Sequence, residues 1–123
     1  MHNRAIFMVI VAGVLLLSGC NSPSEQASIM ESEATDRALE AETEYVSARL
    51  QNASCLTYGE TGEFTTSAEA TVINRTQDGV VVNVQRPYSW EKDGTVADLV
   101  SNASYLVTEN QTIRRSGTSI APC

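Results

Sequence analysis

The residue types that perform most enzymatic chemistry are scarce in this chain. Its one histidine is His2, so the body of the chain lacks the imidazole found in serine and cysteine nucleophile sites and in histidine-ligated zinc. Carboxylates remain, because a pair of them can act as acid and base in glycoside cleavage. Five lie in or near predicted loops: Glu60, Glu63, Glu91, Asp93 and Asp98. No spacing singles out two of the five, so we predict no catalytic residue, no metal site and no cofactor.

The N-terminal segment has the three parts of an export signal. A short polar start with Arg4 is followed by an uncharged run, residues 5–17, and by small residues just before Cys20. The run is shorter than the ~20 apolar residues that a membrane-spanning helix needs. We therefore predict a cleaved leader rather than a retained membrane helix.

The residues that end this segment, Leu17-Ser18-Gly19-Cys20, resemble the lipobox of prokaryotic membrane lipoproteins. The resemblance implies that residues 1–19 are removed as a signal peptide and that diacylglycerol is attached to the Cys20 sulfur. Two long acyl chains hold a protein on a bilayer far more firmly than one chain does. The membrane is then a partner through this anchor, and the mature chain lies on the extracytoplasmic face of the cell membrane.

The two remaining cysteines, Cys55 and Cys123, are an even pair in a compartment that the leader predicts to be oxidising. We expect an intramolecular disulfide, while two free thiols or an intermolecular bridge are the alternatives. The bridge would close a long loop and stabilise the fold by about 4 kcal/mol in the chain-entropy model.

The chain is acidic, with 15 Asp and Glu against 8 Lys and Arg and a net charge of −7. Nucleic acids and anionic lipid headgroups both attract cations, so this balance argues against either as a partner. The sequence also contains four Asn-x-Ser/Thr sequons, which can accept N-glycans on exported proteins. Their asparagines are Asn52, Asn74, Asn102 and Asn110.

The first half of the mature chain divides into a linker and a helix. Residues 20–32 are small and polar, which predicts a flexible tether between lipid and domain. Residues 33–53 predict a helix, because apolar residues recur at helical spacing and acidic residues occupy the first turn. Its apolar stripe consists of Leu39, Val46, Leu50 and Ala53. Residues 33–123 are predicted to form one small domain.

The second half changes to the two-residue period of β-strands. Strands are predicted near residues 68–73, 80–84 and 99–108, followed by a pair of shorter segments at 111–115 and 118–121. We expect turns at 77–79 and 93–94, and an interruption at Pro87. The predicted fold class is α+β, with one N-terminal helix packed on a roughly four-stranded antiparallel meander. This order of elements resembles the cystatin-like roll.

The body of the chain also resembles small uncharacterised lipoproteins of salt-loving archaea. The resemblance rests on the lipobox, on the excess of Arg over Lys, and on the segments 34–38, 70–79 and 121–123. It implies no known activity.

The candidate contact surface for a partner holds Arg86, Tyr88 and Trp90, the one tryptophan of the chain. Arginine and aromatic residues are frequent anchors at binding sites. We expect Tyr88 and Trp90 to lie exposed on a loop at a strand end, and the alternative is that they belong to the core.

These features predict a lipid-anchored extracytoplasmic protein whose domain has a non-enzymatic binding role or a structural role in the envelope. The sequence does not identify its protein or small-molecule partner. The alternative is a small carboxylate-based hydrolase or a cystatin-like protease inhibitor. An inhibitor needs a projecting apolar hairpin, and the polar tip at residues 76–79 argues against that alternative.

Overall fold

The computed structural model describes residues 29–123. The predicted leader, the Cys20 anchor and most of the predicted tether lie outside the described residues. Within the described part of the chain, no helix is long and apolar enough to cross a membrane.

One helix, α1, is present in residues 29–123; it spans Glu31–Gln51 and begins two residues earlier than the sequence predicts. Every fourth residue of one face is buried: Ala34, Ala38, Glu42, Val46 and Leu50. The predicted stripe is therefore only half right, because Leu39 and Ala53 are merely half-buried. Ile29 is also buried, so the domain begins inside the segment predicted to be tether.

Five strands follow the helix: β1 Tyr58–Thr61, β2 Glu69–Arg75, β3 Val80–Lys92, β4 Thr95–Val107 and β5 Thr112–Gly117. All pairings are antiparallel. Both β1 and β2 pair with the same edge of β3, β1 along its second half and β2 along its first half. The sheet is thus an antiparallel meander that is four strands wide. β1 and β2 share the first strand position and are separated by residues 62–68, and α1 packs on one face of the sheet. The predicted α+β class is confirmed.

The predicted interruption at Pro87 is wrong, because β3 runs straight through it. Pro87 lies between the part of β3 that pairs with β2 and the part that pairs with β1. Its carbonyl accepts a hydrogen bond from the Gly62 amide at 3.2 Å. The ring nitrogen of Pro87 points to the same side as this carbonyl, towards the break between β1 and β2. Proline is tolerated here because no neighbouring strand needs a hydrogen bond from its nitrogen.

Both predicted turns are present. Asp93 and Gly94 have φ of 51° and 81°, the left-handed pair that a two-residue hairpin requires. At the other hairpin, Thr76 closes the turn with a backbone hydrogen bond to the Gly79 carbonyl at 2.8 Å. A side chain at Gly79 would collide with the Val107 carbonyl oxygen, so only glycine fits there. The predicted strand at 118–121 is absent from the described structure, where these residues are irregular.

The core consists of two clusters along the helix. The first surrounds Ala34 and Ala38 and includes Val82 and Tyr105 of the sheet. The second joins Val46 and Leu50 to Tyr88 and Ile120. The Cys55–Cys123 disulfide closes the second cluster with a Cα–Cα distance of 5.9 Å, which confirms the predicted bridge. Glu42 lies on the buried face of α1 between the two clusters.

Candidate functional site

The most concentrated polar chemistry in the described residues surrounds the carboxylate of Glu42, whose side chain has no exposed surface. Helix α1 directs Glu42 onto the sheet, because it occupies the position four residues after Ala38 and four before Val46. Each carboxylate oxygen accepts a hydroxyl hydrogen bond at 3.1 Å, Oε1 from Ser101 and Oε2 from Tyr105. Both hydroxyl groups come from β4.

Arg114 of β5 completes this cluster and supplies its positive charge. Its Nε donates to Glu42 Oε2 at 3.0 Å, and its Nη2 donates to Oε1 at 3.0 Å, which is the two-pronged geometry that guanidinium groups favour. The guanidinium carbon lies 3.9 Å from the centre of the Tyr45 ring. Nη2 also donates to the Thr118 carbonyl at 2.8 Å. Arg114 thus connects the helix, the last strand and the C-terminal segment.

Burial raises the pKa of Tyr105, and the negative charge of Glu42 raises it further. The Tyr105 hydroxyl is therefore a stable hydrogen-bond donor at ordinary pH. A serine hydroxyl that donates to a carboxylate also resembles a nucleophile beside its base. However, Ser101 and Glu42 are both fully buried, so no substrate reaches them. We interpret the Glu42 cluster as structural.

The opposite face of the sheet contains an open groove of about 380 Å³. Its side chains are mostly hydroxyls and amides, and its one ionisable group is the Glu69 carboxylate. The polar lining consists of Glu69, Thr71, Asn83, Gln85, Asn102, Ser104 and Ser116. Such a surface offers hydrogen bonds to a polar ligand and contains neither a thiol nor a basic group.

The carboxylates considered for catalysis are spread over an open surface. Glu60 and Asp98 lie on either side of the buried Ser89 in one cross-strand row, and both are exposed. Their Cα atoms are two strand spacings apart, about 10 Å. Glu63 lies in the loop after β1, and Asp93 lies in the β3–β4 turn. Within residues 29–123, no three His, Cys, Asp or Glu residues are close enough to hold a metal ion.

The expectation that Tyr88 and Trp90 lie exposed on a loop is wrong. Both are in the second half of β3: Tyr88 belongs to the second core cluster and is only 6% exposed, and Trp90 is half-buried and packs against that cluster. Arg86 is half-buried and donates from Nε to the Pro87 carbonyl at 3.2 Å. Tyr88 therefore packs inside the domain, whereas Arg86 and Trp90 each keep part of their surface exposed, and their contact with a partner stays a prediction.

The four sequon asparagines are all exposed. Asn52 follows the helix, Asn74 is in β2, Asn102 lines the groove on β4, and Asn110 is in the turn before β5. Exposure is compatible with glycosylation, which stays a prediction.

Sequence reasoning missed the Glu42 cluster. One signal could have indicated it: Glu42 is a charged residue at the centre of a row of small and apolar residues spaced by four. A carboxylate on a buried helix face needs a cation or several donors. Nothing in the sequence identifies Arg114 as that cation.

No protein-family model matches the chain, and no curated protein or solved structure is found to be similar to it.

Proposed function

We propose that this chain is a lipid-anchored extracytoplasmic protein whose small domain binds a partner without catalysing a reaction. The observation that carries the proposal is the Cys55–Cys123 disulfide. Stable structural disulfides are typical of exported domains and rare in reducing compartments. The bridge therefore agrees with the export signal and lipobox at the start of the sequence.

The connection between the anchor and the domain supports this arrangement. Arg75 donates from Nη1 to the Ile29 carbonyl at 3.0 Å, and Arg37 donates to the carbonyls of Thr108 and Gln111 at 2.8 Å. The start of the helix thus lies at the same end of the sheet as the turns at 76–79 and 108–111. The chain from Cys20 to Ile29 can span about 30 Å when extended. That end of the domain would face the membrane, and the Asp93–Gly94 turn would face away from it.

The non-catalytic part of the proposal is supported by the distribution of reactive groups. The carboxylate of Glu42 and the hydroxyl-bearing residues Ser101 and Tyr105 are buried. The exposed acids Glu60 and Asp98 are separated by Ser89 on an open sheet. The accessible groove presents hydroxyl and amide groups, which bind ligands through hydrogen bonds.

The test is the intact mass of the membrane-extracted protein, compared with its Cys20→Ser variant. We expect the unchanged chain to begin at Cys20, to carry diacylglyceryl mass, and to have two further cysteines that are alkylated only after reduction. Cys20→Ser should lose the lipid mass and leave the membrane fraction or accumulate as precursor. Ser18→Ala keeps a small residue before the cleavage site and should be processed normally. A native protein that retains residues 1–19 and has no lipid would overturn the proposal.

A further inference from the structure

Strand β4 is paired unequally along its two edges. Its first edge pairs with β3 over its whole length, from Thr95 to Val107. Its second edge pairs with β5 only from Ala103 onward. At the adjoining Asn102, the carbonyl accepts a hydrogen bond of 2.8 Å from the Thr118 amide. From Thr95 to Ser101 the second edge has no backbone partner within residues 29–123.

The register identifies the backbone groups that point outward along this edge. The carbonyls of Pro87 and Glu91 accept from Gly62 and Thr57, so the odd-numbered residues of β3 face away from β4. The even-numbered residues of β3 must therefore bond to the odd-numbered residues of β4. It follows that Val96, Asp98 and Val100 direct their N–H and C=O groups to the open edge. Asn102 continues this series, and Thr118 satisfies both of its backbone groups.

The other edges of the sheet are less suited to pairing with another chain. β2 has a register shift between Val72 and Asn74, and the pairing of β4 with β5 has a shift after Ser104. β1 has only four residues. Bulges and short strands are common protections against edge pairing. The Thr95–Ser101 edge has a regular register and contains neither proline nor a basic residue.

The side chains around the open edge favour a particular occupant. Asp98 lies on the face of the sheet away from α1, which also carries Glu91 on the neighbouring strand β3 and Glu60 one strand further away on β1. Val96 is 56% exposed and Leu99 is 39% exposed, so both faces of the edge offer apolar contact. A second copy of this chain paired about Asp98 would place the two Asp98 side chains opposite each other, which is unfavourable in cross-strand pairs. A strand with a basic residue at that position would pair favourably with Asp98.

We propose that the Thr95–Ser101 edge of β4 binds an extended segment of another protein as an added antiparallel strand, with Lys or Arg side chains beside Asp98. Main-chain hydrogen bonds supply the affinity in this mode of recognition, and side chains supply the choice of partner. The inference rests on the proposed binding function and names the class of partner. The edge adjoins the Asp93–Gly94 turn, at the end of the domain opposite the helix start, where a membrane-anchored domain would leave it accessible.

The test uses the full chain extracted from membranes and a seven-residue peptide of alternating valine and lysine, blocked at both ends. Peptide binding is followed by fluorescence anisotropy, and amide hydrogen exchange identifies the residues that become protected. We expect the lysine peptide to bind and to protect the amides of Val96, Asp98 and Val100. Methylating the lysine amide nitrogens should abolish binding, because these nitrogens face β4, whereas methylating the valine nitrogens should preserve it. A matched peptide with glutamate in place of lysine should not bind.

The Asp98→Lys variant should bind the lysine peptide at least tenfold more weakly than the unchanged chain and should bind the glutamate peptide. Asp78→Lys makes the same charge change in the turn at the other end of the sheet and should bind like the unchanged chain. Absence of binding at millimolar peptide, protection at another edge, or equal losses in the two variants would overturn the proposal. Self-association that protects the same amides without peptide would assign the edge to a second copy and would also overturn it. None of these outcomes bears on the lipid anchor, which the intact-mass test examines separately.

Discussion

Glu42 and Arg114 are 72 residues apart in the chain and meet through two hydrogen bonds of 3.0 Å. Glu42 has no exposed surface, and the Arg114 side chain is 20% exposed. The pair joins the centre of the helix to the last strand of the sheet. A buried ion pair of this kind contributes little net stability compared with apolar residues, but losing one partner is costly because the other charge stays buried.

Replacing Arg114 by methionine should therefore strongly destabilise the domain. The carboxylate of Glu42 would keep its two hydroxyl donors and lose its cation, and we expect the free energy of unfolding to fall by about 3–5 kcal/mol. Guanidinium denaturation followed by circular dichroism measures the change. Arg115→Met is the matched control, because Arg115 is the exposed neighbour in the same strand, and its substitution should change stability by less than about 0.5 kcal/mol.

Changing Glu42 to methionine in addition to Arg114 should recover part of the loss. The double variant has no unpaired charge, and its remaining cost comes from the hydroxyl groups of Ser101 and Tyr105, which lose their acceptor. We expect the double variant to be more stable than Arg114→Met alone. Purely additive losses would show that the two charges do not interact in solution.

The raised pKa of Tyr105 predicts that the domain weakens at alkaline pH. The unfolded chain releases the tyrosine proton near pH 10, whereas burial and Glu42 keep Tyr105 protonated in the folded chain. The stability from this residue is complete below pH 10 and declines above it, by about 1.4 kcal/mol per pH unit. Burial also raises the pKa of Tyr88, which adds a contribution of the same sign.

Denaturation curves at several values between pH 9 and pH 11 measure this decline. Tyr105→Phe should reduce the slope above pH 10 and leave the contribution of Tyr88 in place. Tyr58→Phe is the control for removing a tyrosine hydroxyl, because Tyr58 is 42% exposed and lies outside the Glu42 cluster. If the stability of the Tyr105→Phe variant declined with pH as steeply as that of the unchanged protein, Tyr105 would not be the source of the alkaline weakening.

The elements of the fold could be predicted because they depend on local patterns. The four-residue spacing of α1, the alternation of β3 and β4, and the Asp93–Gly94 turn all reflect interactions between residues close in sequence. Pro87 misled the prediction because the tolerance of a strand for proline depends on its neighbours in the sheet. The break between β1 and β2 that accommodates Pro87 is a feature of tertiary structure.

The candidate site could be predicted only where the chemistry of a residue restricts its partners. Cys55 and Cys123 can bridge only to another cysteine, so counting was sufficient. Tyr88 and Trp90 can serve equally well in a core or at an interface, and only the direction of their side chains on β3 decides between the two. Glu42 and Arg114 come together through the folding of the whole sheet, which no local spacing records.

The Cys55–Cys123 disulfide holds a C-terminal segment that has no strand of its own. Residues 118–123 are irregular, and the bridge fixes their end to the loop after the helix. With cysteines 68 residues apart, replacing both by serine should cost about 4 kcal/mol in the chain-entropy model. Thr118 would keep its hydrogen bonds with Asn102 and Arg114. The residues after it should become more open, because Ile120 in the second core cluster and the hydrogen bond from Lys92 to the Pro122 carbonyl would be their main remaining attachments. Denaturation curves measure the loss of stability, and hydrogen exchange of residues 118–123 measures the opening.

If the amide of Thr118 stayed as protected as in the bridged protein while the amides after it exchanged faster, opening would begin beyond its hydrogen bond to Asn102. Unchanged stability and unchanged exchange would instead mean that core packing alone holds the segment.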